Sequence, residues 1–136
     1  MIFPLVVAAG LGMLVAPQAQ AASNNWKCTS KSWKSATDRG GRDAKVILRH
    51  PRDSTNHFAL NWKSEGEHMY AANASTMRNA EFSAVFEGTG RDWYWLLQPG
   101  EAIHDNLDLP EGHTTLITAS SPPANVGSCN NNHART

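Results

Sequence analysis

AEFSAVFEGTGRDWYWLLQ, residues 80 to 98, is the stretch on which the fold turns. Phe82, Ala84 and Phe86 alternate with Glu81, Ser83, Val85 and Glu87, the period of a half-buried strand. Gly88, Thr89 and Gly90 interrupt the run, and DWYWLLQ (92 to 98) begins a second one. Two strand-length runs joined by a short Gly-containing loop predict an antiparallel hairpin. In its second strand Trp93, Trp95 and Leu97 share one face, while Tyr94, Leu96 and Gln98 share the other. The partner strand offers Phe82, Ala84 and Phe86 at the same period. The reading is therefore Trp93 and Trp95 inside and Tyr94 outside, although a register slip of one residue would exchange them.

Working outward from the hairpin, AKVILRH (44 to 50), HFALNWK (57 to 63), EHMYAAN (67 to 73) and HTTLITAS (113 to 120) repeat the pattern, and EAIHDNLDL is a weaker run. Turn residues separate them every 8 to 12 residues or so, as in small antiparallel domains. The predicted fold class is all-β: a small antiparallel β-sandwich (Ig-like) or a β-barrel of about seven or eight strands, closed by one terminal disulfide. One helical turn between Ala71 and Ala80, capped by Ser75, is the most helix the pattern allows. The segment from Ser23 to Asp43 is polar and ends in a turn at Gly40 and Gly41. Residues 130–136 are expected to form a disordered tail.

The first residues run uncharged and mostly apolar from Ile2 to Ala16 and then turn to Pro17 and the small residues before Ala22. This is the pattern of a secretory signal over 1–21, cut after Ala21, although no Lys or Arg precedes the apolar run. The run is shorter than the roughly 20 residues that span a bilayer, so no stable membrane insertion is expected after cleavage. Residues 22–129 then form a single β domain, exported and either periplasmic or secreted. Cys28 and Cys129, near its two ends, are expected to pair, because an exported chain matures where disulfides persist.

Twelve basic and twelve acidic residues balance, which argues against nucleic acid or an anionic membrane held by bulk electrostatics. Five tryptophans stand in the chain, and Trp26 and Trp33 lie among Ser, Asn, Lys and Thr instead of in an alternating run. With Tyr94 or Tyr70 they form a candidate ligand-binding set of exposed rings, Trp26, Trp33 and Tyr94 first among them. The alternative is that Trp26 and Trp33 cover the ends of the domain. Six histidines show no HxxxH, HxH or HExxH spacing, and His104, Asp105 and His113 are the one group that invites a metal. Scattered surface histidines are the commoner explanation. No GxSxG elbow, Ser-x-x-Lys pair or Cys/His couple marks a nucleophile, and no cofactor is expected.

The expected function is thus that of an exported, non-catalytic β domain that binds an unknown protein or glycan. A carbohydrate-binding module using exposed Trp, a small hydrolase and a structural envelope component pairing through edge strands are alternatives. In layout, a short exported β domain with a cysteine near each end, the chain resembles the small periplasmic lysozyme inhibitors. That resemblance implies a protein partner.

Overall fold

The computed structural model describes residues 25–122 and 126–136, so the expected signal segment 1–21 and the domain start at residue 22 lie outside the described residues. Nine strands make up the described chain: β1 (Lys27–Lys34), β2 (Arg42–Arg49), β3 (His57–Lys63), β4 (His68–Asn73), β5 (Ala80–Phe86), β6 (Arg91–Leu97), β7 (Ala102–Asn106), β8 (Thr114–Ser120) and β9 (Ser128–Arg135). All pair antiparallel in one sheet of order β6-β5-β8-β9-β2-β3-β4-β7, with β1 added alongside β2. The sheet winds around a single core, so the all-β reading resolves to a nearly closed barrel. No helical turn forms between Ala71 and Ala80.

Period-two alternation fills the barrel. Ala44, Val46 and Leu48 of β2, Phe58, Leu60 and Trp62 of β3, Met69 and Ala71 of β4, and Phe82, Ala84 and Phe86 of β5 all point inward and are buried. The hairpin read from residues 80–98 forms as expected, with Phe82 opposite Trp95 and Ala84 opposite Trp93.

Two strands lie where none was expected. β1 is KCTSKSWK, with no apolar alternation, and it is a strand because its backbone pairs with β2 at every residue from Lys27 to Lys34. β9 corrects the expectation that residues 130–136 are disordered. Its inward residues are Cys129, Asn131 and Ala134, and the parity changes because a bulge puts one extra residue into β9 opposite β8. Asn131 holds the bulge, accepting the His133 N–H at 2.8 Å and donating to Ser30 Oγ at 2.9 Å. The expected bridge is present: Cys28 of β1 and Cys129 of β9 are bonded with Cα atoms 5.1 Å apart. Such a bond belongs to an oxidising, exported environment.

The barrel closes by side chains where its end strands meet. β6 and β7 share no ladder, and Asp105 Oδ2 of β7 instead accepts the indole N–H of Trp93 at 2.6 Å and of Trp95 at 2.9 Å. Trp93 is 7% exposed, but Trp95 is 42% exposed, a correction to the expectation that both rings are core. The physical reason is the unpaired edge: alternation turns Trp95 inward, and among the described residues no strand lies beyond β6 to cover it. Asp105→Asn keeps the size of the side chain and removes its charge, so two charge-assisted bonds become ordinary ones or are lost. A loss on the order of 2 kcal/mol is expected by chemical denaturation, with red-shifted tryptophan emission as Trp95 gains water.

Below this seam, Asn73 ties three segments together. Its Nδ2 donates to the carbonyls of Arg78 (2.9 Å) and Leu97 (3.0 Å), and its Oδ1 accepts the Ser75 N–H (3.0 Å). Its backbone bonds Gly100 and Glu101 in the β6–β7 turn. Glu67, the one described non-glycine residue with positive φ (55°), works similarly at the other end of β4, its Oε2 accepting the Leu109 N–H at 2.7 Å. These two residues fix β7 beside β4.

Candidate ligand-binding face

Pairing register decides which side chains meet on the outside of the barrel. One row crosses five strands as Lys31, Lys45, Asn61, Tyr70 and His104. The row beside it carries Thr29, Ile47, Ala59, Ala72 and Ala102, short side chains on the last three strands. On the opposite side of the first row, Lys63, His68 and Asn106 align across β3, β4 and β7, and Trp33 faces Asp43 across β1 and β2. The tall residues of one row therefore stand above the alanines of the next.

Three of these side chains form a ridge. The Tyr70 and His104 rings stack with centroids 4.3 Å apart and planes 5° from parallel. His68 Nδ1 lies 2.7 Å from His104 Nε2, so one imidazole donates its proton to the lone pair of the other. The ridge separates two open depressions. One, of about 530 Å³, lies toward the β1–β2 and β3–β4 turns and is lined by Thr37, Asp43, Lys63, Glu65, His68 and Tyr70. Its mouth is bridged by a hydrogen bond from Thr37 Oγ1 to Glu65 Oε2, and Asp43 is held by the backbone N–H and hydroxyl of Ser64. The other, of about 370 Å³, has Ala59, Ala72 and Ala102 as an apolar floor and Asn61, Tyr70 and His104 as polar and aromatic walls.

The residues singled out in the sequence are distributed unevenly over this surface. Trp33 is 44% exposed on the outer face of β1 and belongs to it. Trp26 does not: it is buried, stacks on Phe58 with centroids 5.0 Å apart, and donates its backbone N–H to Val126 O. It plugs one end of the barrel, the packing alternative, and is corrected as a ligand-binding ring. Tyr94 is 58% exposed, but it stands on β6 beyond the seam, its hydroxyl donating to Glu81 Oε1 at 3.0 Å. That bond to a carboxylate holds the phenol above its usual value, with desolvation adding to the effect.

The group His104, Asp105 and His113 comes apart. Neighbouring residues in a strand face opposite ways, so His104 points outward while Asp105 points to the seam tryptophans. His113 Nδ1 donates to the Glu87 carbonyl at 2.8 Å on another part of the barrel. Among the described residues no group of three or more His, Cys, Asp or Glu converges as metal ligands.

His68, Lys31 and Lys45 gain their place only through register, but one signal for this face was legible in the chain. Residues 1–63 hold nine of the twelve basic residues and three acidic ones, and residues 64–136 hold the reverse. Overall balance conceals a strong asymmetry between halves.

Comparison of the chain with protein-family models, with curated proteins and with solved structures found no match.

Proposed function

We propose that the protein is an exported glycan-binding module, periplasmic or secreted, which holds its ligand on the outer face of β1, β2, β3, β4 and β7 without altering it chemically. One observation carries the reading: the exposed Tyr70–His104 stack, braced by His68, stands between two depressions on a rigid sheet. A sugar ring presents apolar C–H faces and a rim of hydroxyls, and it is held by aromatic or apolar surface beside a few placed polar groups. This face offers both, with Tyr70 and the alanine floor for the first and Asn61, Lys63, His68 and Asn106 for the second. Depressions on both sides of the ridge suit an extended chain that crosses it. The Cys28–Cys129 bond supports export.

Calorimetric titration of the oxidised protein with a panel of oligosaccharides tests the reading. Tyr70→Ala and His104→Ala are each expected to weaken binding about tenfold or more, equivalent to roughly 1.4 kcal/mol. Unfolding stability should move by less than about 1 kcal/mol, because neither ring is part of the core. The glycan should be recovered unshortened. Unchanged affinity in both variants, or a cleaved glycan, would overturn the reading, the second in favour of a hydrolase.

A further inference from the structure

The β1–β2 ladder holds an arrangement that costs the free protein stability. Lys31 pairs directly with Lys45, Lys27 with Arg49 and Lys34 with Arg42, so three of its eight cross-strand pairs set cation against cation. Side chains directly opposite in an antiparallel ladder have Cβ atoms about 5 Å apart, and like charges there repel. The first two pairs point outward, in phase with Lys63, Tyr70 and Trp33, and not toward the core, because Ala44, Val46 and Leu48 take the inward positions of β2. Among the described residues, no carboxylate forms an ion pair with Lys27, Lys31, Lys45 or Lys63. The nearest acid by register, Asp43, is buried and occupied by Ser64. Glu65, at the first depression, is bonded by the Thr37 hydroxyl, and most of the other acidic residues lie in the second half of the chain, among them Glu81, Glu87, Asp92, Glu101 and Asp108.

We propose that the ligand of this face is an anionic glycan, a polysaccharide carrying carboxylate or sulfate groups. The inference rests on the glycan-binding reading above and adds the charge that reading leaves open. The two outward cationic pairs are four residues apart along β1, about 13 Å at the rise of a strand, so they match repeated charges on a polymer better than a single anion. Each pair accepts an acidic group between its two cations, and binding removes the repulsion that the free protein carries. The rings and the alanine-floored depression hold the uncharged part of the chain. An export-linked disulfide places the face where acidic polysaccharides, and not intracellular nucleic acids, are the available polyanions.

The experiment compares the oxidised protein's affinity for polygalacturonate, dextran sulfate, neutral dextran, a single-stranded oligonucleotide and phosphatidylglycerol vesicles. Polygalacturonate or dextran sulfate is expected to bind, and the stronger of the two identifies the acid. With three or four cations engaged, affinity should fall about 20- to 50-fold between 50 and 200 mM salt. Lys31→Ala with Lys45→Ala should lose about tenfold in affinity and flatten the salt dependence. The same double variant should unfold at an equal or higher temperature than the parent, a result that a structural role for these lysines would not give.

Equal, salt-independent binding of neutral dextran overturns the anionic ligand and leaves the glycan-binding reading standing. Binding confined to the oligonucleotide or to the vesicles overturns both, as does binding to none of the five.

Discussion

Asn73→Ala is expected to be among the most damaging substitutions of a polar residue in the barrel, with a loss on the order of 3–5 kcal/mol in chemical denaturation. The side chain is 1% exposed and makes three hydrogen bonds, to Arg78 O, Leu97 O and Ser75 N, none of which a methyl group replaces. Each partner is a backbone group, and each group left buried without a bond costs about 1–3 kcal/mol. The damage spreads, because Leu97 ends β6 and Asn73 ends β4, so the side chain joins the two sides of the seam where no ladder exists. Asn73→Asp separates packing from polarity: it is isosteric, keeps the acceptor for Ser75, and turns a carboxylate oxygen toward two carbonyls. It should be at least as damaging as alanine. A loss below about 1 kcal/mol in both variants would mean that the seam does not depend on Asn73.

Reduction of Cys28–Cys129 is the second large effect. The bond closes a loop of 101 residues, and in the chain-entropy account a loop of that size contributes about 4–5 kcal/mol by restricting the unfolded chain. The midpoint of thermal unfolding should therefore fall by roughly 15 °C or more on adding dithiothreitol, and Cys28→Ser with Cys129→Ser should reproduce the fall without reductant. A local consequence accompanies the global one. β1 is exposed along its length and carries the three cation pairs, so its hold on the barrel rests on backbone pairing with β2, on Ser30–Asn131 and on the disulfide. After reduction its amides should exchange with solvent faster than those of β3 or β5, each of which is paired with a strand on both sides. A midpoint shift of only a degree or two, with β1 still protected, would show that sheet pairing alone holds the two ends.

The two sets of measurements bear on function as well as stability. If β1 frays on reduction, Trp33, Lys31 and Lys27 leave the face, and binding of an acidic glycan should weaken in the same samples while Tyr70 and His104 stay in place.

The order of residues by itself determined the strands from Ala44 to Ser120, the hairpin from Ala80 to Leu97, the pairing of two cysteines and the inward residues of β3 and β5. All of these follow from period-two alternation, which is local, and from a count of two thiols. β1 and β9 escaped because their side chains do not alternate: KCTSKSWK is polar on both faces, and the bulge in SCNNNHAR shifts its parity midway. Their strand character comes from backbone pairing with partners that are already ordered. Trp95 escaped for the opposite reason, since alternation correctly turned it inward but carries no information about where a sheet ends. The charge asymmetry was written in the order of the chain and disappeared in the total.

What tertiary structure alone decided is adjacency. His68 and His104 are 36 positions apart, and Lys31 and Tyr70 share a row only because three ladders lie between them in fixed register. A face of this kind is made by long-range pairing, in which each strand reads only its neighbours. No window of sequence contains it.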